Sequence, residues 1–254
     1  MIPIIHVRNL RKTFSTSQSE KICALVDINL EIQKNDFVCI VGPSGCGKST
    51  LLRIIAGLEK ATSGEVSYQG ELISCPGRER GMVFQEYSLF PWRNILDNIG
   101  LGLEFAGKST EEKQQKSMEY LKLVGLEKFG KAFPHELSGG MRQRAAIARA
   151  LANDPEVLLM DEPFGALDAH TRILLQQELL RIWEAHKKTI LFVTHSVDEA
   201  VFLSDKIVLM SARPGEIKRI ININIPRPRK RSDPTFGTLT YEILNMLNKE
   251  IVLQ

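Results

Sequence analysis

One stretch limits what this chain can fold into more than any other: Gly42-Pro43-Ser44-Gly45-Cys46-Gly47-Lys48-Ser49-Thr50. Before it, Phe37-Val38-Cys39-Ile40-Val41 is a short apolar run of the kind that forms a buried strand. After it, Leu51, Ile54, Ile55 and Leu58 recur at helical spacing, and Gly57 is placed to end the helix. Strand, glycine-rich turn and helix is the setting in which Gly-x-x-x-x-Gly-Lys-Ser cradles phosphate. The amides of Gly45, Cys46, Gly47 and Lys48 are expected to form an anion nest at the positive end of the helix dipole. Lys48 is expected to reach the β- and γ-phosphates, the Ser49 hydroxyl to ligate Mg²⁺, and Thr50 to lie nearer the α-phosphate. Cys46 stands at a helix start, where a thiol pKa tends to fall. Its alkylation is therefore expected to block nucleotide binding, and bound ATP to protect it.

The 254 residues are 43% hydrophobic and 25% charged, an ordinary balance for a chain that buries a core. A net charge of +3 gives no argument for nucleic acid. There is no apolar run of the roughly 18 residues that span a bilayer, and no signal-like N-terminus. The chain is expected to be cytoplasmic, with any membrane link made through a partner. Cys23, Cys39, Cys46 and Cys75 form no Cys-x-x-Cys pair and have no histidine at metal spacing, which fits reduced, mostly structural thiols.

Residues 2–8 read as a strand and 15–20 as a polar loop. Val26, Ile28, Leu30 and Ile32 alternate with polar residues as a half-buried strand. Gly64 to Gly70 continues this added β layer. Gly81 to Gln85 is a short strand ending in glutamine, and Pro91 breaks regularity after it. From about 95 to 152 the pattern is helical. The expected organisation is one domain over 1–254, with an α/β core at about 1–85 and 154–254 and a helical subdomain at about 86–153.

Inside the helical part, Leu137-Ser138-Gly139-Gly140 opens an alanine-rich helix, and free amides at its start make a second anion site. Val157 to Met160 then delivers Asp161 and Glu162 to the end of a buried strand. Asp161 is placed to hold Mg²⁺ through water, and Glu162 to orient or deprotonate an attacking water. The alternative is two acids capping the next helix. Gly165 to Asp168 is a turn before a helix at about 169–186. Thr189 to Thr194 is a buried strand ending in His195, on the side where parallel α/β folds bind ligands, which favours a γ-phosphate contact over a structural histidine. Lys206–Met210 and the alternating Ile221, Ile223 and Ile225 read as an antiparallel pair. The basic run Pro226 to Arg231 reads as a solvated linker, with phospholipid head groups as the lesser alternative. Phe236, Leu239, Ile243, Met246 and Leu247 share one face of a final helix.

Taken in order, the phosphate loop, Gln85, Leu137–Gly140, Asp161-Glu162, Asp168 and His195 resemble the ATPase subunits of ABC transporters over nearly the whole chain. The resemblance implies an α/β fold: a P-loop NTPase (RecA-like) core with an added antiparallel β layer and an inserted α-helical subdomain. It implies ATP and Mg²⁺ as cofactors. Phe14 resembles the aromatic that stacks on adenine, where the family more often has tyrosine. Gln85 resembles the glutamine that senses Mg²⁺ and the attacking water. Ser138, Gly139 and Gly140 would face the ATP held by a second copy, with Ser138 and Gly140 on its γ-phosphate; Asp168 would organise that interface. Met141 stands where many relatives carry glutamine. Residues 86–94 resemble the surface that receives a membrane permease subunit.

A closer resemblance, to the ATPase subunits of nitrate, sulfonate and taurine importers, rests on Leu89 to Ile99, Phe164 to Ala169, Ser211 to Gly215 and Pro226 to Arg229. It implies a permease partner, an extracytoplasmic substrate-binding protein reached indirectly, and a place on the cytoplasmic face of the membrane. The short chain after His195 leaves no expectation of a separate regulatory domain. In the expected mechanism two copies pack head to tail with ATP between them, hydrolysis reopens the pair, and residues 86–94 move the permease. The rivals are a soluble ABC-type ATPase acting on a non-membrane partner, and a nucleotide-gated switch without catalysis.

Overall fold

The computed structural model of the chain describes residues 2–15 and 21–252, so all but Ser15 of the polar loop lies outside the described residues. The strands are β1 (Ile5–Ser15), β2 (Lys21–Ile32), β3 (Phe37–Val41), β4 (Ser63–Tyr68), β5 (Glu71–Leu72), β6 (Arg80–Val83), β7 (Val157–Asp161), β8 (Thr189–Thr194), β9 (Lys206–Met210) and β10 (Ile217–Asn222). The helices are α1 (Lys48–Ile55), α2 (Ile95–Ile99), α3 (Leu101–Phe105), α4 (Thr110–Leu123), α5 (Gly139–Ala152), α6 (Ala169–His186), α7 (Val197–Leu203) and α8 (Pro234–Val252). They fall into two compact units. One is formed by the described residues up to Gly77 together with those from Thr189 onward, the other by Arg78–Lys188.

In the first unit, β2, β1, β4 and β5 lie side by side, antiparallel, as the added layer. β2 alternates as its sequence dictates, burying Leu25, Ile28, Leu30 and Ile32. β1 runs past the expected end at residue 8. Its pairing with β2 shifts between Val7 and Leu10, where Asn9 takes a positive φ of 46°. Such a bulge moves the buried set from Ile5 and Val7 to Leu10 and Lys12, and the lost period hides the second half of the strand from sequence reading.

Beside this layer stands a parallel set, β9–β3–β8, with β10 antiparallel on β9. Every residue of β3 and β8 is buried, as their unbroken apolar runs require of strands covered on both faces. Phe37 and Phe192 meet there with ring centroids 6.1 Å apart. α1 ends at Gly57, where the Gly57 amide bonds the Ile54 carbonyl and the Leu58 amide bonds that of Arg53.

The basic run 226–231 is not a solvated linker. Arg229 is 6% exposed and donates to the carbonyls of Val201, Phe202 and Ser204 at the C-terminal end of α7. Arg227 pairs with Asp205, and Arg231 with Asp198 at 2.8 Å. Unpaired carbonyls and the negative end of the helix dipole draw in Arg229 and Arg227, which also donates to the Leu203 carbonyl, while Arg231 is held by the Asp198 carboxylate in the first turn of α7. Burial, then the neighbouring Arg227, pushes the Arg229 guanidinium down to about 10. With three guanidinium groups engaged by protein acceptors, Lys230 is the cation of the run that stands exposed.

In the second unit β6 and β7 pair in parallel. The helical stretch comprises α2 to α5 with two single 3-10 turns between α4 and α5, at Glu127–Phe129 and Pro134–Glu136. α4 begins with a capping box in which Ser109 and Glu112 bond each other's backbone amides. α5 begins at Ser138 and α6 at Asp168, each with its side chain accepting from an amide three residues on.

Candidate nucleotide site

Pairing register sets the functional residues at common levels. In the first unit Val41 lies opposite Thr194, so the phosphate loop and His195 leave the sheet at the same edge. In the second, Val83 lies opposite Met160, so Gln85 and Glu162 both stand two residues beyond that paired position. These are the carboxyl ends of parallel strands, where open α/β sheets hold ligands.

Gly47 caps α1 with φ 94°, and an ideal Cβ there would stand 2.5 Å from Leu25 Cδ2. Only glycine meets both demands. Lys48 is 4% exposed, and its ammonium donates to the Gly42 and Pro43 carbonyls at 2.8 Å each. Its charge is thus held within the loop, beside the first amides of α1. Ser44 and Gly45 are exposed, while Pro43, Ser49 and Thr50 are half-buried.

Cys46 corrects an expectation. Its thiol is fully buried, and that burial pushes its pKa up; Lys48, which acts to lower it, is outweighed. The dipole argument fails because the side chain points away from water, against Gly42: a Cβ at Gly42 would meet Cys46 Sγ at 2.8 Å. Burial and a raised pKa both oppose alkylation, so the basis for expecting a reactive thiol that ATP protects is removed.

Phe14 lies near the end of β1 and is 38% exposed. The Lys12 ammonium sits 4.6 Å from its ring centroid and is anchored by Glu59 at 2.6 Å and the Lys60 carbonyl at 2.8 Å. A ring with lysine on one face can take a planar base only on the other. His195 is exposed just beyond β8. The residues on either side of it are tied together, because the Thr194 hydroxyl accepts from the Ser196 amide at 3.0 Å.

In the second unit Gln85 is exposed. Asp161, the last residue of β7, is 3% exposed. Glu162 follows with φ 44°, a left-handed conformation that costs energy for a side-chain-bearing residue and clusters at functional sites. Ser138 and Gly139 reach the surface while Gly140 is buried, where a Cβ would meet Thr171 Cγ2 at 2.6 Å. This helix start opens on a cavity of about 640 Å³ that Arg144, Thr171, Glu178 and Arg181 also line. The Asp168 carboxylate accepts from the Thr171 amide at 3.0 Å, and this bond leads in holding its pKa below the usual value.

Other residues shape the site without a signal in the motifs. Asn98 is fully buried and binds residues 90–94 from inside. Its Oδ1 accepts from the Phe90 amide at 2.8 Å, and its Nδ2 donates to the carbonyls of Phe90, Arg93 and Asn94. Arg149 donates to the Ser88 and Tyr87 carbonyls, and Arg142 lies over the Tyr87 ring. An asparagine inside an apolar helix could have pointed to this role; the arginines could not, since arginine on a helix reads as solvent-facing.

A glycine nest with a buried lysine at the end of one parallel strand, and a buried aspartate followed by a half-buried glutamate at the end of another, define a nucleotide hydrolase of the P-loop kind. Known proteins agree. Residues 25–165 match the family described as ABC transporter, and the chain belongs to that family. An uncharacterized ABC transporter ATP-binding protein of Methanocaldococcus jannaschii, MJ0412, is 53% identical over 98% of this chain and 92% of its own length. The aliphatic sulfonates import ATP-binding protein SsuB of Bacillus cereus is 46% identical over 98% of each chain. The nitrate import ATP-binding protein NrtD of Synechocystis is 45% identical over 96% of this chain and 94% of its own. Among solved structures, the ATP-binding cassette MJ0796, in a dimeric post-hydrolysis state bound to ADP and Pi, superposes with a TM-score of 0.78 at 37% identity. It covers 87% of this chain and all of that one (100%). The chain is an ABC ATP-binding subunit, and it hydrolyses ATP in a reaction coupled to transport.

Proposed function

We propose that this subunit powers the import of a small anion, such as nitrate, a sulfonate or taurine, through a membrane permease. The observation that carries the reading is the near full-length likeness to import ATPases named for aliphatic sulfonates and for nitrate. No helix among the described residues is long and apolar enough to cross a membrane, so on this reading the permease supplies the path. The subunit then works at the cytoplasmic face, docked through residues 86–94, and meets the extracytoplasmic binding protein only through the permease. Chemistry supports that docking segment, since Trp92 is 71% exposed while Asn98 and Arg149 hold the backbone beneath it.

In this reading the whole described chain is one ABC ATPase domain, with the helical subdomain at about 86–153. Two copies close head to tail on ATP, consistent with a solved neighbour that is dimeric. The base lies on Phe14. The triphosphate lies in the Gly42–Thr50 loop, with Lys48 countering charge on the β- and γ-phosphates. Ser138, Gly139 and Gly140 of the second copy close on the γ-phosphate, and Asp168 lines the contact between copies. Ser49, Gln85 and Asp161 offer oxygen donors only, which suits Mg²⁺, a hard cation that neutralises charge on the phosphate oxygens when bound. The Glu162 carboxylate holds the attacking water and takes its proton. Gln85 orients that water, and His195 contacts the γ-phosphate as the bond to ADP breaks. Charge on ATP is then met by donors from both copies only in the closed pair, which couples closure to binding.

The test is to tag the chain, solubilise membranes gently, and identify what copurifies. A multi-span membrane protein in roughly equal amount is expected. ATPase activity of that complex in liposomes should rise when nitrate, taurine or an alkanesulfonate is added with the cognate binding protein. A soluble partner with no membrane protein would overturn the import reading and favour an ABC ATPase of soluble machinery.

A further inference from the structure

The turn Ser211-Ala212-Arg213-Pro214-Gly215 follows β9 and packs against the phosphate loop of the same unit. Arg213 Nε donates to the Gly45 carbonyl at 3.1 Å. The guanidinium lies across Gly45: an ideal Cβ there would stand 2.7 Å from Arg213 Nη2 and 3.3 Å from Cζ. The turn is braced from behind. The Gly215 amide donates to the Ala24 carbonyl and its carbonyl accepts from the Val26 amide, each at 3.0 Å. Gly215 also presses on the loop so closely that a Cβ would meet the Cys46 carbonyl oxygen at 2.0 Å. Ser211 Oγ closes the turn, donating to the Pro214 carbonyl and accepting from the Glu216 amide at 3.0 Å each. The arginine is thus delivered to the loop by a fixed support.

We propose that Arg213 is a positioning residue for nucleotide binding, which grips the Gly45 carbonyl and so sets the peptide between Gly45 and Cys46 in the phosphate loop. The inference rests on that loop being the nucleotide site. A peptide unit is planar, with its carbonyl and its amide N–H on opposite edges. Holding the Gly45 carbonyl on the Arg213 side therefore turns the Cys46 N–H the other way, back toward the Pro43 carbonyl at 3.4 Å. Gly45 has φ 76°, a region glycine leaves as readily as it enters, so the loop by itself fixes this peptide weakly. A charged donor grips a carbonyl more strongly than a neutral one, and its charge adds to the attraction for an anion. Because the contact is to loop backbone, the effect falls on nucleotide affinity, and KM moves while kcat does not.

The experiment uses the full chain with Arg213→Ala, Arg213→Lys and Lys48→Ala. It measures dissociation constants for a fluorescent ATP analogue, steady-state KM and kcat, and the thermal midpoint without nucleotide. Arg213→Ala is expected to weaken binding about tenfold, with KM rising in step and kcat within about twofold of the parent. Its midpoint should stay within about 2 °C. Arg213→Lys, which keeps the charge and loses the planar Nε donor, should recover only part of the affinity. Unchanged affinity in Arg213→Ala, alongside strong weakening in Lys48→Ala, overturns the inference and leaves the nucleotide site standing. A fall in kcat at unchanged KM, or a midpoint loss that Arg213→Lys fully repairs together with affinity, also overturns it. If Lys48→Ala itself binds nucleotide normally, the phosphate-loop reading fails first.

Discussion

The Thr194 hydroxyl donates to the Glu199 carboxylate, with Thr194 2% and Glu199 5% exposed, and the two residues stand on either side of His195. Thr194 ends β8 and Glu199 lies in the first turn of α7, where its own amide donates to Ser196 Oγ at 3.3 Å. The strand end, the exposed histidine and the helix start are thereby one hydrogen-bonded unit. Thr194→Val removes the hydroxyl without changing shape, leaving a buried carboxylate and the Ser196 amide short of a partner. A loss of about 2 kcal/mol is expected, or roughly 4–8 °C in thermal midpoint. Turnover should fall while ATP binding persists, because His195 loses its frame. Thr194→Ser should restore both. Denaturant unfolding and a kcat measurement decide the matter, and a Thr194→Val protein with parental kcat would detach this pair from His195.

Glu162 combines a left-handed backbone with a place just past buried Asp161. Glu162→Gln keeps the shape and loses the base. ATP binding should be retained, turnover should drop by about 100-fold or more, and with ATP the protein should accumulate as a dimer visible by light scattering. Turnover within about threefold of the parent would remove Glu162 from the catalytic role.

The phosphate loop, β3 and β8 were legible because their chemistry is local: glycines at fixed spacing, and apolar runs buried on both faces. What stayed hidden was long-range. Arg229 reads as a solvated residue among prolines, yet its Nη1 donates to the carbonyls of Val201, Phe202 and Ser204, 25 to 28 residues earlier. Arg213 meets Gly45 across 168 residues. The bulge at Asn9 hid half of β1 by breaking a period that sequence reading relies on. Cys46 shows a local rule losing to packing, since a helix start lowers a thiol pKa only where the thiol can be solvated or meet the dipole.

That loss to packing has a chemical consequence. Cys75 is exposed and Cys46 is buried with its pKa raised. In the native protein a maleimide should label Cys75 first, and Cys46 at least about tenfold more slowly, whether or not ATP is present. Peptide mapping by mass spectrometry against time reads both rates. Rapid labelling of Cys46 that ATP suppresses would restore the reactive-thiol reading.

Arg93 belongs to the segment proposed for permease docking, and it grips Glu104 of α3 with two parallel bonds, Nη1 to Oε2 at 2.9 Å and Nη2 to Oε1 at 3.2 Å. Lys113 of α4 adds a contact at 3.4 Å. The Arg93 bond first, then that of Lys113, pulls the Glu104 carboxyl down from 4.5 to about 2. A carboxyl lowered in the folded state binds fewer protons there than in the unfolded chain. Its stabilisation is therefore complete above about pH 4.5 and is lost as pH falls through about 2. Glu104→Gln should flatten the dependence of unfolding on pH within that window and remove at pH 7 the same contribution that acid removes from the parent, a small one because the ion pair is exposed. Carbon-13 NMR of the side-chain carboxyls reads the titration directly. Arg93→Ala should move the Glu104 titration back toward its ordinary range, and Glu104 titrating normally in the parent protein would show that Arg93 is held by other means. Since Asn98 already fixes the backbone at Arg93, acid should free the guanidinium before it unfolds the segment.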